Sequence, residues 1–132
     1  MPLAVAVTWQ ARAGTEERVE AIIAEMVEVT RREPGCLMYQ PHRSMEKAGV
    51  YFIYEQFVDE AAFTAHLESE YYKRLILDEA VTLLDHRERS LYTTADRYDE
   101  GSLSRNLLPG EARAAARGNL PEGALPAPEG PR

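Results

Sequence analysis

The sequence has few cysteines and no long apolar run. Cys36 is the single cysteine among 132 residues, which excludes an internal disulfide framework and is typical of a reducing compartment. No apolar run approaches the ~18 residues that a membrane span needs. The N-terminus lacks the basic segment of a signal peptide. We therefore expect a cytoplasmic protein with no membrane as a partner.

Positive charge is also scarce, because 15 Lys and Arg residues stand against 22 Asp and Glu residues, giving a net charge of −7. This balance argues against nucleic acid or an anionic membrane as a partner. His42, His66 and His86 form no H-x-H or E-x-x-H pair, so the spacing predicts no metal site. The glycines form no phosphate-binding or dinucleotide-binding fingerprint.

The chain divides into two segments of different composition. Apolar residues make up 45% of the full sequence, as in globular proteins. Residues 1–96 carry the whole net charge. Residues 97–132 are neutral overall and contain five of the eight prolines and five of the eight glycines. We predict one domain over 1–96 and a Pro/Gly/Ala-rich C-terminal tail over 97–132. The tail is expected either to be flexible or to lie across a partner subunit.

Residues 1–96 alternate between strand and helix patterns. The predicted order is a strand over 3–11, a helix over 16–32, strands over 36–45 and 50–58, two short helices between 60 and 84, and a strand over about 87–94. This β-α-β-β-α-β order predicts an α+β, ferredoxin-like fold. Helices cover one sheet face and leave a partly apolar face bare, which predicts a homodimer with its two sheets packed face to face.

Three motifs follow one another in a distinctive order: EPGCLMY over 33–39, FIYEQF over 52–57 and DEAAFTAH over 59–66. Together they resemble the antibiotic biosynthesis monooxygenase family over about residues 3–95. The resemblance implies a dimeric α+β barrel with a pocket between the sheet and the helices. It also implies an oxygenase that needs no flavin, haem or metal. Anthrone-oxidising members carry asparagine and tryptophan where this chain has Ile53 and Phe57, so it is more similar to the quinol-monooxygenase-like branch.

Two residues are candidates for the chemistry. By the resemblance, one face of the third strand points into the pocket: Tyr51, Ile53, Glu55 and Phe57. A carboxyl group at Glu55 would be poorly solvated, which raises its pKa and suits it to proton transfer. Alternatively, Glu55 pairs with Arg43 and only braces the sheet. His66 can act as a general base near neutral pH, or it can simply bond to a backbone carbonyl.

The remaining candidates would bind the substrate. Five aromatic residues either line a flat apolar pocket or belong to the ordinary core: Trp9, Tyr39, Phe57, Phe63 and Tyr71. Arg43 would hold a ligand oxygen or form a surface ion pair. The resemblance thus implies a cofactor-independent monooxygenase that acts with O2 on an electron-rich phenol or quinol or on a polycyclic aromatic metabolite. A small aromatic or hydrophobic metabolite is therefore the expected partner. The alternatives are an isomerase or cyclase in the same pocket, and a non-catalytic dimeric binding module.

Overall fold

The computed structural model describes residues 2–95, so the prediction for the tail over 97–132 concerns residues outside the described part. The elements follow the order β1 (Leu3–Ala11), α1 (Glu16–Thr30), β2 (Cys36–Arg43), β3 (Val50–Phe57), α2 (Glu60–Glu68), α3 (Glu70–Tyr72), a π-helical turn (Lys73–Leu77), a 3-10 turn (Ala80–Leu83) and β4 (Leu84–Thr93). None of the helices within 2–95 is long and apolar enough to cross a bilayer.

The four strands form one antiparallel sheet in the order β2-β3-β1-β4. This topology confirms the predicted ferredoxin-like α+β fold. Strand β1 lies in the middle, where Val5 is opposite Glu55 of β3 and Val7 is opposite Arg89 of β4. Strand β2 is an edge strand, which explains how it accommodates Pro41, a residue without a backbone N–H donor.

The core lies between the inner face of the sheet and α1. Alternate β1 residues are buried, and α1 presents an apolar stripe at 3.6-residue spacing toward them. The main contributors are Leu3, Val5, Val7, Trp9, Val19, Ile22, Ile23 and Met26. The opposite face of the sheet carries partly exposed aromatic side chains, among them Phe52 at 40% and Tyr92 at 56% exposure.

The segment after Ser69 differs from the prediction. A helical stripe was expected through Leu84, but the segment divides into α3, the π-helical turn and the 3-10 turn, and β4 begins at Leu84 instead of about residue 87. Sheet pairing explains the difference, because Leu84 pairs with Ala11 at a register shift in β1 and the Arg12 N–H donates to the Leu83 carbonyl at 2.8 Å. Tertiary pairing therefore overrides the local helical pattern.

Candidate active site

A small cavity lies between the inner face of the sheet and the segment from α2 to the π-helical turn. Apolar and aromatic side chains form most of its wall, namely Val7, Trp9, Tyr39, Ile53, Phe63, Leu67, Tyr72 and Ile76. The polar side chains that complete the lining are Glu55, His66, Arg87 and Arg89. The cavity measures about 20 Å³, enough for one water molecule, whereas a cavity of about 150 Å³ binds benzene. The cavity is therefore too small in this structure to hold the aromatic ring for which a flat apolar pocket was expected.

His66 is fixed by α2 and by a glutamate from the loop before β2. Asp59 caps α2, accepting a hydrogen bond from the Ala62 N–H at 2.8 Å. His66 is only 2% exposed, and its Nδ1 atom lies 3.0 Å from Oε2 of Glu33. A carboxylate only accepts hydrogen bonds, so Nδ1 is the donor. In the neutral imidazole this leaves the lone pair on Nε2, the nitrogen nearer to Glu55.

Glu55 faces His66 from the middle of the sheet. Its Oε1 atom lies 3.7 Å from Nε2 of His66, too far for a direct hydrogen bond. Oε1 has no hydrogen-bond partner among residues 2–95. Burial raises the pKa of the Glu55 carboxyl group to about 7, although electrostatic interactions with His66 and Arg89 act to lower it. A group that titrates near pH 7 can exchange protons in either direction under physiological conditions.

The Glu33 loop packs directly against α2. A Cβ atom on Gly35 would overlap with Cβ of Ala62, so only glycine permits this approach. Ala62 and His66 are four residues apart and share one helix face. The Tyr71 hydroxyl also donates to Oε2 of Glu33. Burial, reinforced by this bond, raises the pKa of Tyr71 to about 12, which keeps the phenol protonated as a donor.

Aromatic rings surround the His66 imidazole. The Phe63 ring is nearly parallel to it at 6.4 Å, and the Tyr39 ring lies 6.1 Å away. Burial raises the pKa of Tyr39 well above its ordinary value, so this hydroxyl stays neutral. The buried indole N–H of Trp9 has no hydrogen-bond partner within 2–95. A buried donor and a buried acceptor, Trp9 and Glu55, are thus both available at one cavity.

The structure brings six of the ten predicted site residues together around the cavity: Trp9, Tyr39, Ile53, Glu55, Phe63 and His66. Phe57 is fully buried and does not line the cavity, but its ring packs 5.1 Å from the His66 ring and supports it from behind. Within the part of the chain that the structure describes, no three His, Cys, Asp or Glu side chains are grouped to hold a metal ion.

Three predicted binding residues lie elsewhere. Arg43, near the end of the edge strand, forms an ion pair with Glu20 of α1 and not with Glu55. The Tyr51 hydroxyl donates to the same glutamate at 2.9 Å, and both side chains line a separate surface groove of about 340 Å³. Tyr71 is held by Glu33 and does not reach the cavity. Arg43 therefore forms a surface ion pair, which is the alternative given for it in the sequence analysis.

Four residues with polar groups at or beside the cavity were not predicted as site residues. Glu33 orients His66, and Tyr72 accepts a 3.0 Å hydrogen bond from Nη2 of Arg87. Cζ of Arg89 lies 5.5 Å from the centre of the Phe63 ring, within the range of a cation–π contact. The alternation of Arg87 and Arg89 along a strand was the available signal, since residues two apart share one face.

Comparison with known families identifies the family of the chain. The sequence profile of the antibiotic biosynthesis monooxygenase family matches residues 2–76. The chain belongs to this family. A comparison with curated protein sequences finds no significant match.

Solved structures share the fold of this antibiotic biosynthesis monooxygenase family member. Pseudomonas aeruginosa PA3566 is 26% identical, with a TM-score of 0.66 over 72% of this chain and 95% of that one. Mycobacterium tuberculosis Rv0793 is 22% identical, with a TM-score of 0.69 over 75% of this chain and 100% of that one. A crystal structure described as an antibiotic biosynthesis monooxygenase is 24% identical, with a TM-score of 0.67 over 71% of this chain and 99% of that one.

Proposed function

We propose that the chain is a cofactor-independent monooxygenase that oxidises an electron-rich phenol or quinol with O2. The observation that carries the proposal is the pairing of His66 and Glu55 across a buried cavity, with Nε2 and Oε1 3.7 Å apart. One hydroxyl oxygen placed to the side of the line joining these atoms would lie within hydrogen-bond range of both. Family membership supports the reaction class, and this geometry supports the proton transfer that the reaction needs.

In the proposed mechanism His66 removes the phenolic proton through Nε2. The resulting phenolate is a far better electron donor than the phenol and transfers electrons to O2. One oxygen atom enters the ring and the other leaves as water, so that a hydroquinone and O2 give a hydroxyquinone and H2O. Both reducing electrons come from the substrate, which therefore supplies what a redox cofactor supplies in other oxygenases. Glu55 accepts or returns a proton as the oxygen intermediate breaks down.

The size of the cavity favours a single-ring substrate over a polycyclic one. At about 20 Å³ the cavity must expand several-fold even for benzene, whose engineered site measures about 150 Å³. Leu67, Tyr72 and Ile76 form the wall on the side of the helical segments. Ile76 belongs to the π-helical turn, an irregularity that frequently occurs at functional sites. We propose that this wall moves outward when substrate enters.

An oxygen electrode tests the proposal directly. Hydroquinone and substituted hydroquinones are added to the full-length protein with a chelator present, and uncatalysed oxidation is subtracted. We expect uptake of one O2 per substrate, and a fall of at least ~10-fold in rate for His66→Ala, in line with general-base catalysis. His42→Ala, an exposed histidine away from the cavity, is the matched control. Turnover without O2 uptake would instead indicate the isomerase or cyclase alternative, and binding without turnover a binding module.

We also propose that the protein functions as a homodimer. Phe52, Tyr54 and Tyr92 belong to the outer face of the sheet, on which none of the helices within residues 2–95 packs. Pairing this face with its equivalent on a second copy would remove these rings from water, and burial of apolar surface stabilises an interface by about 25 cal/mol per Å² before the costs of association.

A further inference from the structure

Two arginines from one strand lie at the rim of the cavity. Arg87 and Arg89 occupy alternate positions of β4, opposite Trp9 and Val7 of β1, both of which line the cavity. Arg87 is half-buried and Arg89 is exposed, whereas most of the remaining lining is buried. The β4 side is therefore where the cavity approaches solvent, and a ligand entering there would meet both guanidinium groups.

Neither arginine forms an ion pair with a carboxylate within residues 2–95, although Arg89 is close enough to Glu55 to lower the pKa of that carboxyl group. Five other arginines of this part form ion pairs with Asp or Glu: Arg12, Arg18, Arg32, Arg43 and Arg74. Arg87 instead donates one hydrogen bond to the Tyr72 hydroxyl, and the Arg89 guanidinium lies near the Phe63 ring. A guanidinium has five N–H donors, so most donors of both groups remain available to a ligand.

A third donor lies on the same side of the cavity. The indole N–H of Trp9 is buried and has no partner among the described residues, and Trp9 is directly opposite Arg87 in the sheet. Donors concentrated at one end of an apolar cavity select for a ligand with an anionic acceptor group. Because planar guanidinium groups bind carboxylates with two parallel hydrogen bonds, a carboxylate suits this end best.

We propose that the cavity binds a phenol or quinol that carries a carboxylate group, with the carboxylate held by Arg87 and Arg89 and the hydroxyl group directed toward His66 and Glu55. The inference rests on the proposed function, because it names the substrate class of the same cavity. In a chain with a net charge of −7, these two arginines would provide the local attraction that an anionic substrate needs.

Binding measurements with a matched pair of ligands test the inference without turnover. The probes are 2,5-dihydroxybenzoate and its neutral amide, titrated anaerobically into the full-length protein in a calorimeter at low salt. We expect the carboxylate to bind at least ~10-fold more tightly than the amide, the strength typical of charge-assisted hydrogen bonds. Arg87→Gln and Arg89→Gln should each remove most of this preference and change amide binding little. Arg32→Gln, whose arginine pairs with Glu28 on the surface, should leave it intact.

Equal affinities in the wild type, a preference that survives in the Arg87→Gln/Arg89→Gln double variant, or no binding of either probe would each overturn the inference. Arg87→Lys, which keeps the charge but loses the planar fork, provides a second variant if Arg87→Gln fails to fold. The proposed function is tested separately by admitting O2. A carboxylate preference without O2 uptake would contradict the oxygenase proposal and support the anion site. O2 uptake without a carboxylate preference would support the oxygenase proposal and contradict the anion site.

Discussion

Nδ1 of His66 is hydrogen-bonded to Oε2 of Glu33 at 3.0 Å, and this bond determines which imidazole nitrogen is available to the cavity. Glu33 touches no part of the cavity itself, so its role is to position His66. The equivalent arrangement in many hydrolases holds a catalytic histidine in one tautomer. The relationship was not visible in the sequence, since the two residues are 33 positions apart.

Replacing Glu33 should therefore impair His66 without changing the cavity lining. We expect Glu33→Ala to lower kcat at least ~10-fold. This is part of the ~10²–10⁴-fold rate increase that general-base catalysis contributes. Glu33→Gln should lower kcat less than Glu33→Ala, because the amide oxygen of glutamine can still accept the hydrogen bond from Nδ1. Nitrogen-15 NMR of the His66 ring should show one tautomer in the wild type and a mixture in Glu33→Ala. Tyr71→Phe is the control, because it removes only the second bond to Glu33; an unchanged tautomer ratio in Glu33→Ala would contradict the assignment.

Glu55 should make stability depend on pH. Its folded-state pKa of about 7 lies above the ordinary 4.5, so between these values the folded state keeps a proton that the unfolded state has lost. The free energy of unfolding consequently falls as pH rises through this window. Glu55→Gln removes the effect, so its stability relative to wild type should rise between pH 5 and pH 8, on the order of 2 kcal/mol.

Thermal unfolding at several pH values measures this difference. Glu17→Gln, an exposed change in α1, serves as the control for general charge effects. A stability difference between Glu55→Gln and wild type that does not vary from pH 5 to pH 8 would show that Glu55 has no raised pKa in the folded protein.

Replacing Gly35 should destabilise the protein less when Ala62 of α2 is replaced by glycine at the same time. Gly35→Ala places a methyl group against Ala62, and overpacking of this kind costs typically about 1–3 kcal/mol. The double variant Gly35→Ala/Ala62→Gly restores the space, although glycine within a helix costs about 1 kcal/mol. Urea unfolding of the four proteins should give a favourable interaction energy between the two changes. Strict additivity would mean that the loop and α2 do not depend on this contact.

The proposed homodimer depends on the outer face of the sheet. Light scattering should give twice the chain mass for wild type and a single chain mass for Phe52→Lys, because a charge would be buried at the interface without a partner. Leu77→Lys is the matched control, since Leu77 is similarly exposed but lies in the π-helical turn, outside the sheet. A monomeric wild type, or a Phe52→Lys variant that remains dimeric, would contradict the proposal.

Local patterns predicted most of the fold. Strand β1 and helix α1 carry clear periods of 2 and 3.6, whereas β2 and β3 follow from the turn residues that bound them and, for β3, from its aromatic and β-branched residues. The observed bounds of all four differ from the predicted ones by about two residues or fewer. The segment from Tyr72 to Leu84 did not follow its pattern, because pairing of Leu84 with Ala11 starts β4 early. Periodicity indicates which face of an element is buried, but it does not indicate where the chain begins to pair with a neighbouring strand.

The site was predictable only where a residue's own strand or helix turns it inward. Alternation along β3 groups Glu55 with Tyr51, Ile53 and Phe57, and the family resemblance indicated that this face and His66 of α2 point into the pocket. Arg87 and Arg89 depend on the pairing and register of β4 with β1, and Glu33 depends on the packing of its loop against α2, which are long-range contacts that only the assembled fold contains. Arg43 and Tyr51 were candidates for substrate binding, but both contact Glu20 of α1 beside a separate groove, and for Arg43 a surface ion pair was the stated alternative.

The central position of β1 has a consequence for synthesis of the protein. Of the four strands β1 is translated first, and it emerges with neither of its partners, because Leu3 pairs with Phe57 on one side and with Thr93 on the other. One of its hydrogen-bonding edges therefore remains unprotected until β3 has been translated, and the other until β4 has been translated. Completion of the sheet is a late event, and a nascent chain that lacks β4 exposes an unpaired strand edge to aggregation and to chaperones.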